Sequence, residues 1–406
     1  MITTVDYACF FQSLWYDFRK TILQRDWKIG GFKVKEYFIS EIDIENLYHL
    51  SDIKIKLNST KRQHLLLTGK NGSGKTSLLL KIEEFLKTVN NGELILKKDG
   101  VKITLNEYEG LEKAYQDGNF ITAYFPAERK AQFFQPDGVE NVILPEAFRI
   151  DHNAGSVLLK YMVHLKTQQA YARNEGSEAV AEKIQQWFDR FESALRILLD
   201  EKSIHLIYDY KKYNFKIQQA GREEFGFNEL SDGYSSVIYM VSDLILRMDK
   251  NWLLGEEISH YDYQGIVLID ELETHLHIEL QKKIFPFLTE FFPEIQFIVT
   301  THSPYILNSV SNAKAYDLER KVELDHLSVF SSEDLAEGYF EADVYSEELK
   351  KELEVYEELC FKKELTEEDR AKRAELRIKF KNLSAELSGT ARERFEDIER
   401  RRKTND

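Results

Sequence analysis

Apolar runs of strand length alternate along this chain with helical periodicities, the order expected of an α/β protein. Residues 64–68 read His-Leu-Leu-Leu-Thr and predict a buried strand. Residues 77–86 follow with apolar positions gathered on one side of a helix. Residues 265–269 and 296–300 are two further buried-strand runs. Between them, over 276–292, Leu280, Ile284, Leu288 and Phe291 fall on one helical face. Upstream, 38–57 alternates enough for two strands, and 94–105 predicts a hairpin turning at Asp99-Gly100.

A different pattern fills 129–227. Residues 154–171 predict one helix, and Val180, Ile184, Trp187, Phe191, Leu195 and Leu198 step by four and three through a second. A hairpin around Lys211-Lys212 is expected over 204–217. After about residue 339 the chain becomes charged and helical. Leu349, Leu353, Tyr356 and Cys360, then Leu376, Phe380, Leu383 and Leu387, predict an antiparallel helical hairpin with one apolar seam. Thr366 to Asp369 has the form of a capping box. Packing on the core and binding a partner are both open roles for this hairpin. Residues 392–403 are expected to form a mixed-charge terminal helix that frays. At the other end, aromatic-rich 10–18 predicts an amphipathic helix docking on the core or a partner. Five segments result: an N-terminal extension (1–35), a first lobe (36–128), a helical and hairpin insertion (129–227), a second lobe (228–340) and the helical tail (341–406).

The candidate chemistry sits at the strand ends. After the first buried strand comes Gly69-Lys-Asn-Gly-Ser-Gly-Lys75-Thr76, then the helix. Strand, GxxxxGK[ST], helix is the context of a phosphate-binding loop. Glycines at 69, 72 and 74 reach backbone angles closed to other residues and leave room for phosphate oxygens. Loop amides and the positive helix end aim at the same anion. Lys75 supplies a mobile charge to β- and γ-phosphates, and Thr76 a hydroxyl to Mg²⁺. Gly69, Lys70, Asn71, Gly72, Ser73, Gly74, Lys75, Thr76 and Ser77 form the candidate nucleotide cradle.

The run at 265–269 ends in Asp270-Glu271, where parallel sheets bind ligands. Asp270 suits the metal, and Glu271 suits the attacking water. The run at 296–300 is followed by Thr301-His302-Ser303-Pro304. A histidine there is placed to bond a γ-phosphate and sense its loss.

In this order, Gly69–Thr76, Leu230-Ser-Asp-Gly-Tyr-Ser-Ser236, Ile266–Glu271 and His302 resemble the ABC-type ATPases. Ile269-Asp-Glu-Leu-Glu-Thr-His-Leu-His277 with Thr300-Thr-His-Ser-Pro304 is similar to the OLD-like branch, related to the SMC and RecF-like ATPases. That branch supplies ATPase subunits of bacterial anti-phage systems, among them Gabija, Septu, PARIS and retron-linked types. The resemblance covers about residues 39–307. It implies an ABC-ATPase head: a P-loop sheet flanked by helices, an N-terminal antiparallel β portion, a helical insertion lobe and, here, the C-terminal helical hairpin. It implies ATP and Mg²⁺ as cofactors, with Lys75, Glu271 and His302 catalytic and Thr76 and Asp270 on the metal. It also implies that Ser231, Asp232 and Gly233 cover the ATP of a second chain, in a homodimer or higher homo-oligomer. Tyr124-Phe-Pro-Ala-Glu-Arg129 occupies the place of the family's Q-loop. The usual glutamine is missing; Glu128, Arg129 and Gln132 are the candidates. Leu272 replaces a usual proline, and Asp232 a usual Gly or Ser. A separate effector, such as a nuclease, is the implied partner, and control of it in defence the implied role. DNA maintenance and an ATP-clamped scaffold with little hydrolysis are the alternatives.

Composition narrows these. The net charge of −15 argues against a surface for broad nucleic-acid binding, which needs local Lys/Arg excess. An insertion of about one hundred residues is too short for an SMC-type arm at about 1.5 Å per residue. The region after Pro304 is largely helical with no Asp-x-Asp strand end, which speaks against a built-in nuclease. Cys9 and Cys360 are the only cysteines and have no zinc spacing. No run of about 18 or more apolar residues predicts a membrane span. A cytoplasmic protein is expected.

Overall fold

The computed structural model describes residues 35–129, 131–249, 263–324, 347–362, 364–383 and 389–405, with Leu327 and Leu335 in addition. The expected helix at 10–18 lies outside the described residues, as does Leu387. The chain divides into a unit of residues 1–36 and a unit of residues 37–406. The second is described below.

Its centre is a six-stranded sheet in the order β13-β12-β3-β11-β10-β6. These strands are β3 (His64–Thr68), β6 (Phe120–Phe125), β10 (Gln264–Ile269), β11 (Ile295–Thr300), β12 (Ala313–Asp317) and β13 (Val322–Leu324). All neighbours are parallel except β12 and β13. β3 and β11 are buried throughout, the pattern of strands covered on both faces. The phosphate loop, the Asp-Glu pair and His302 follow β3, β10 and β11, so all three motifs emerge at one edge of the sheet. β11 lies between the other two, which puts its last residue, Thr300, between them.

A four-stranded antiparallel sheet, β2-β1-β5-β4, lies earlier in the chain. It comprises β1 (Ile39–Leu47), β2 (Leu50–Lys56), β4 (Lys97–Lys98) and β5 (Val101–Leu105). Asp99 and Gly100 turn with φ of 46° and 78°, as a two-residue hairpin demands. A Cβ on Gly100 would lie 2.3 Å from the Asn46 carbonyl oxygen. One core cluster joins Ile42 and Ile44 of this sheet, Leu65 and Ile298 of the central sheet, and Leu78, Ile82 and Leu86. The last three belong to α1 (Lys75–Asn90). A short α2 (Leu111–Gln116) precedes β6.

The insertion holds α3 (Leu158–Asn174) and α4 (Glu178–Leu198), then β7 (His205–Asp209) and β8 (Asn214–Gln218). Both expected helices and the hairpin are present. A third strand, β9 (Phe225–Gly226), extends the hairpin; two residues are too few to leave a periodic signal. α5 (Asp232–Met248) carries the signature at its start and is buried along almost all of its length. Arg247 holds it in place. Its Nε donates to Asp243 Oδ1 at 2.5 Å, and its Nη1 to the carbonyls of Thr122 and Arg149 at 2.9 Å each. Asp243 Oδ2 also accepts from the Gly155 amide at 2.9 Å. α6 (Ile278–Phe291) and α7 (Pro304–Leu307) flank β11 in sequence, and Leu280, Ile284, Leu288 and Phe291 are buried as expected.

The tail holds the expected hairpin and terminal helix, and departs from expectation only in how the last helix packs. Three helices pack there: α8 (Glu347–Phe361), α9 (Glu367–Leu383) and α10 (Gly389–Asn405). The terminal helix does not stand apart to fray. Its Phe395 and Ile398 close a cluster with Leu353, Tyr356, Leu376 and Phe380. Glu399 accepts from Arg377 Nη2 at 2.7 Å and from the Tyr356 hydroxyl. Two apolar residues among many charges escape a periodicity reading but suffice to seat a third helix. The capping box forms: the Asp369 amide donates to Thr366 Oγ1 at 3.1 Å, and the Thr366 amide to Asp369 Oδ2 at 3.0 Å.

Asp249, just after α5, is buried and accepts from the Tyr161 hydroxyl at 2.8 Å. Burial pushes its pKa up to about 7, so the fold favours the protonated form. That carboxyl therefore stabilises the fold increasingly as pH falls from 7 toward its ordinary value, and destabilises it once ionised above 7. Asp249→Asn should raise stability at pH 8 by roughly 2–4 kcal/mol and lose the parent's gain on acidification from pH 7 to 4. Urea unfolding of both proteins across that range checks this.

Candidate active site

The phosphate loop takes the shape its glycines permit. Gly69, Gly72 and Gly74 have φ of 126°, 82° and 93°. A Cβ on Gly69 would lie 2.8 Å from Ser73 Oγ and 3.1 Å from Asp317 Oδ1, whereas one on Gly72 would meet open space. Gly74 starts α1, and no side chain caps the helix. Its first amides are therefore available to an anion. Lys75 is buried, and its Nζ donates to the carbonyls of Gly69 at 2.8 Å and Lys70 at 3.1 Å. Burial lowers its pKa, opposed by Glu271, Glu273, Asp270 and Asp317. Lys70 is exposed, with Nζ 3.2 Å from Glu319. Ser73 Oγ is buried with no hydrogen-bond partner among the described residues.

Thr76 joins this loop to the acidic pair. Its Oγ1 donates to the Asp270 carboxylate at 3.0 and 3.2 Å. A hydroxyl against a carboxylate is the hard-oxygen pair that Mg²⁺ uses while it keeps waters and phosphate oxygens as its other ligands. These residues fit the metal. On the far side of Asp270, Thr300 Oγ1 donates to Oδ1 at 2.6 Å and accepts from the Glu271 amide at 2.7 Å. Thr300 thus orients both acidic residues, although sequence reading assigned it no role. Its signal was a polar residue directly after the apolar run Phe297-Ile-Val299.

Glu271 sits in the left-handed region with φ of 46°, and its Oε2 accepts from Thr274 Oγ1 at 3.3 Å. Glu273, also unassigned, braces the histidine loop: it accepts from Thr301 Oγ1 at 2.7 Å and from the His302 amide at 2.5 Å. His302 Nε2 is buried without a hydrogen-bond partner among the described residues. Burial first, and Lys75 second, lower its pKa, so its ring is neutral at pH 7. A neutral imidazole carrying its proton on Nε2 can donate it to a phosphate oxygen.

The signature lies at the start of α5. Ser231 is extended and exposed at the cap position, with no side-chain cap bond. Asp232 is exposed beside it. Gly233 is buried; a Cβ there would lie 2.5 Å from the His275 carbonyl oxygen, so only glycine fits against the turn that follows Glu271. Among the described residues, the hydrogen bonds linking the phosphate loop, Asp270 and Thr300 do not include Ser231 or Asp232. Of the Q-loop candidates, Glu128 and Gln132 are exposed. Arg129 turns inward and donates to the carbonyls of Asp270 and Glu271 at 2.7 and 3.0 Å.

A family model described as "AAA domain, putative AbiEii toxin, Type IV TA system" matches residues 98–308. The chain belongs to this family. It is 27% identical over 301 residues to the Septu protein PtuA of Bacillus mycoides (strain KBAB4), covering 68% of this chain and 40% of that one. It is 34% identical over 152 residues to the retron Vc95 probable ATPase of Vibrio cholerae serotype O1 biovar El Tor, covering 36% and 27%. The chain thus spans less than half the length of these curated relatives. An SMC head bound to the C-winged helix domain of ScpA overlaps loosely, with TM-score 0.40 and 11% identity over 72% of this chain and 100% of that one. The resemblance to proteins of Septu and retron-linked systems is borne out by these relatives. The fold is the α/β arrangement expected from the motifs, and the expected tail hairpin is joined by the terminal helix in one cluster.

Thr300→Val keeps the shape of the side chain but leaves Asp270 Oδ1 and the Glu271 amide each short of a bond. A loss of about 1–3 kcal/mol is expected in chemical denaturation, with Thr300→Ser recovering most of it.

Proposed function

We propose that this chain binds and hydrolyses ATP with Mg²⁺, and that two copies pair around the nucleotide. The observation that carries the reading is the direct contact of Thr76 with Asp270 beside an uncapped, glycine-built helix start. In it, the loop amides and Lys75 hold the β- and γ-phosphates. Bound Mg²⁺ would neutralise charge on those phosphates, held by Thr76 and Asp270. Glu271 orients the attacking water and takes its proton. His302 Nε2 bonds a γ-phosphate oxygen. Ser231 and the Gly233 amide of the second copy cover the same phosphate, with the positive end of α5 aimed at it. The exposure of Ser231 at the end of an otherwise buried helix supports a role facing another chain. Loss of the γ-phosphate would then loosen the pair, so nucleotide state would control assembly.

The biological reading follows the relatives. A Septu protein and a retron probable ATPase are among the proteins this chain is similar to. We infer a subunit of a bacterial anti-phage system that holds a separate effector, of the nuclease class, under nucleotide control. Among the described residues no helix is long and apolar enough to cross a membrane.

Phosphate release separates hydrolysis from a static ATP clamp. Wild-type protein should exceed Glu271→Gln by at least about 100-fold; equal rates would leave only the clamp. The paired site has its own test. Lys75→Ala and Ser231→Arg should each be inactive, yet a mixture should regain activity, because a mixed pair holds one intact Lys75 facing one intact Ser231. A mixture as inactive as its components would rule out a shared site.

A further inference from the structure

Arg129 makes contacts that nucleotide binding alone does not require. Its Nη1 donates to the carbonyls of Pro126 at 3.0 Å and Asp270 at 2.7 Å. Its Nη2 donates to the Glu271 carbonyl at 3.0 Å, and its Nε to Ser236 Oγ at 3.0 Å. Four bonds from one planar fork thus join three segments: the loop after β6, the turn after β10, and α5. All four acceptors are neutral. Among the described residues no carboxylate takes the charge directly, although Glu273, Asp270 and Glu271 oppose the burial that brings the pKa down to about 10. The side chain is therefore a cation at neutral pH.

A half-buried cation on neutral oxygens is a costly way to fill space. What it offers is geometry. Glu271 has φ of 46°, a conformation that costs a non-glycine residue about 1–2 kcal/mol. Arg129 grips the carbonyls of both Asp270 and Glu271 and so steadies that turn. The third arm reaches Ser236, one helical turn beyond Gly233 on the same buried helix. A displacement of α5 would pull on the same guanidinium that fixes the Glu271 backbone.

We propose that Arg129 is a positioning residue coupling the signature helix to the Asp270-Glu271 turn, so that Glu271 is aimed for hydrolysis only when α5 is seated. This rests on the proposed ATPase reading. Arg129 itself touches no nucleotide in this scheme. Lysine cannot replace it, because a single ammonium cannot span three segments.

The test uses full-length Arg129→Ala, Arg129→Lys and Ser236→Ala. Both Arg129 variants should lose about 100-fold in kcat, with the KM for ATP within about threefold of wild type. Ser236→Ala should lose about tenfold in kcat with unchanged binding of a fluorescent ATP analogue. Added guanidinium should restore part of the activity of Arg129→Ala. Hydrogen exchange reads the coupling directly: MgATP should protect the first turns of α5 in wild type but not in Arg129→Ala. Wild-type kcat in Arg129→Ala would overturn the proposal, as would a loss of analogue binding as large as the loss of kcat. If wild type releases no more phosphate than Glu271→Gln, the hydrolysis reading fails by itself. Exchange then decides the coupling, and protection of α5 retained in Arg129→Ala would overturn it. If circular dichroism shows the Arg129 variants misfolded, Ser236→Ala stands in, and wild-type kcat and protection there would overturn the proposal.

Discussion

The site depends on one carboxylate held from two sides. Asp270 accepts from Thr76, at the start of α1, and from Thr300, at the end of β11. These bonds tie the phosphate loop, the acidic turn and the histidine strand into one rigid edge. Parallel pairing of β3, β11 and β10 sets the spacing, and burial on both faces keeps the strands from shifting. A metal ligand already oriented by hydrogen bonds loses little freedom on binding.

The signature helix is positioned by separate means. Arg247 and Asp243 lock the far part of α5 to β6 and to the start of the insertion. Gly233 lets its near end approach the His275 backbone, and Arg129 links its first turns to Glu271. The helix that is proposed to read a second chain is thereby joined to the turn proposed to drive hydrolysis.

Much of this was legible in the sequence because it is local. The phosphate loop needs glycines at fixed offsets, and the buried strands needed only apolar runs of the right length. The helices of the insertion declared themselves by steps of four and three. What sequence hid is long-range or small. Thr300 reads as an ordinary strand residue until β11 is placed between β3 and β10. Glu273 looks like one acid among many until its bonds to Thr301 and the His302 amide appear. Arg129 shares its loop with Glu128 and Gln132, and only tertiary packing selects it. β12 and β13 pass unnoticed, since strands of only five and three residues carry little pattern. The terminal helix was misread because Phe395 and Ile398 are sparse among charges.

Nucleotide-controlled pairing is the central claim. Sedimentation velocity of Glu271→Gln protein in MgATP and in MgADP tests it most directly. Pairs of chains should form in MgATP, be absent in MgADP, and be lost when Ser231→Arg is added. A distribution that ignores the nucleotide would contradict it.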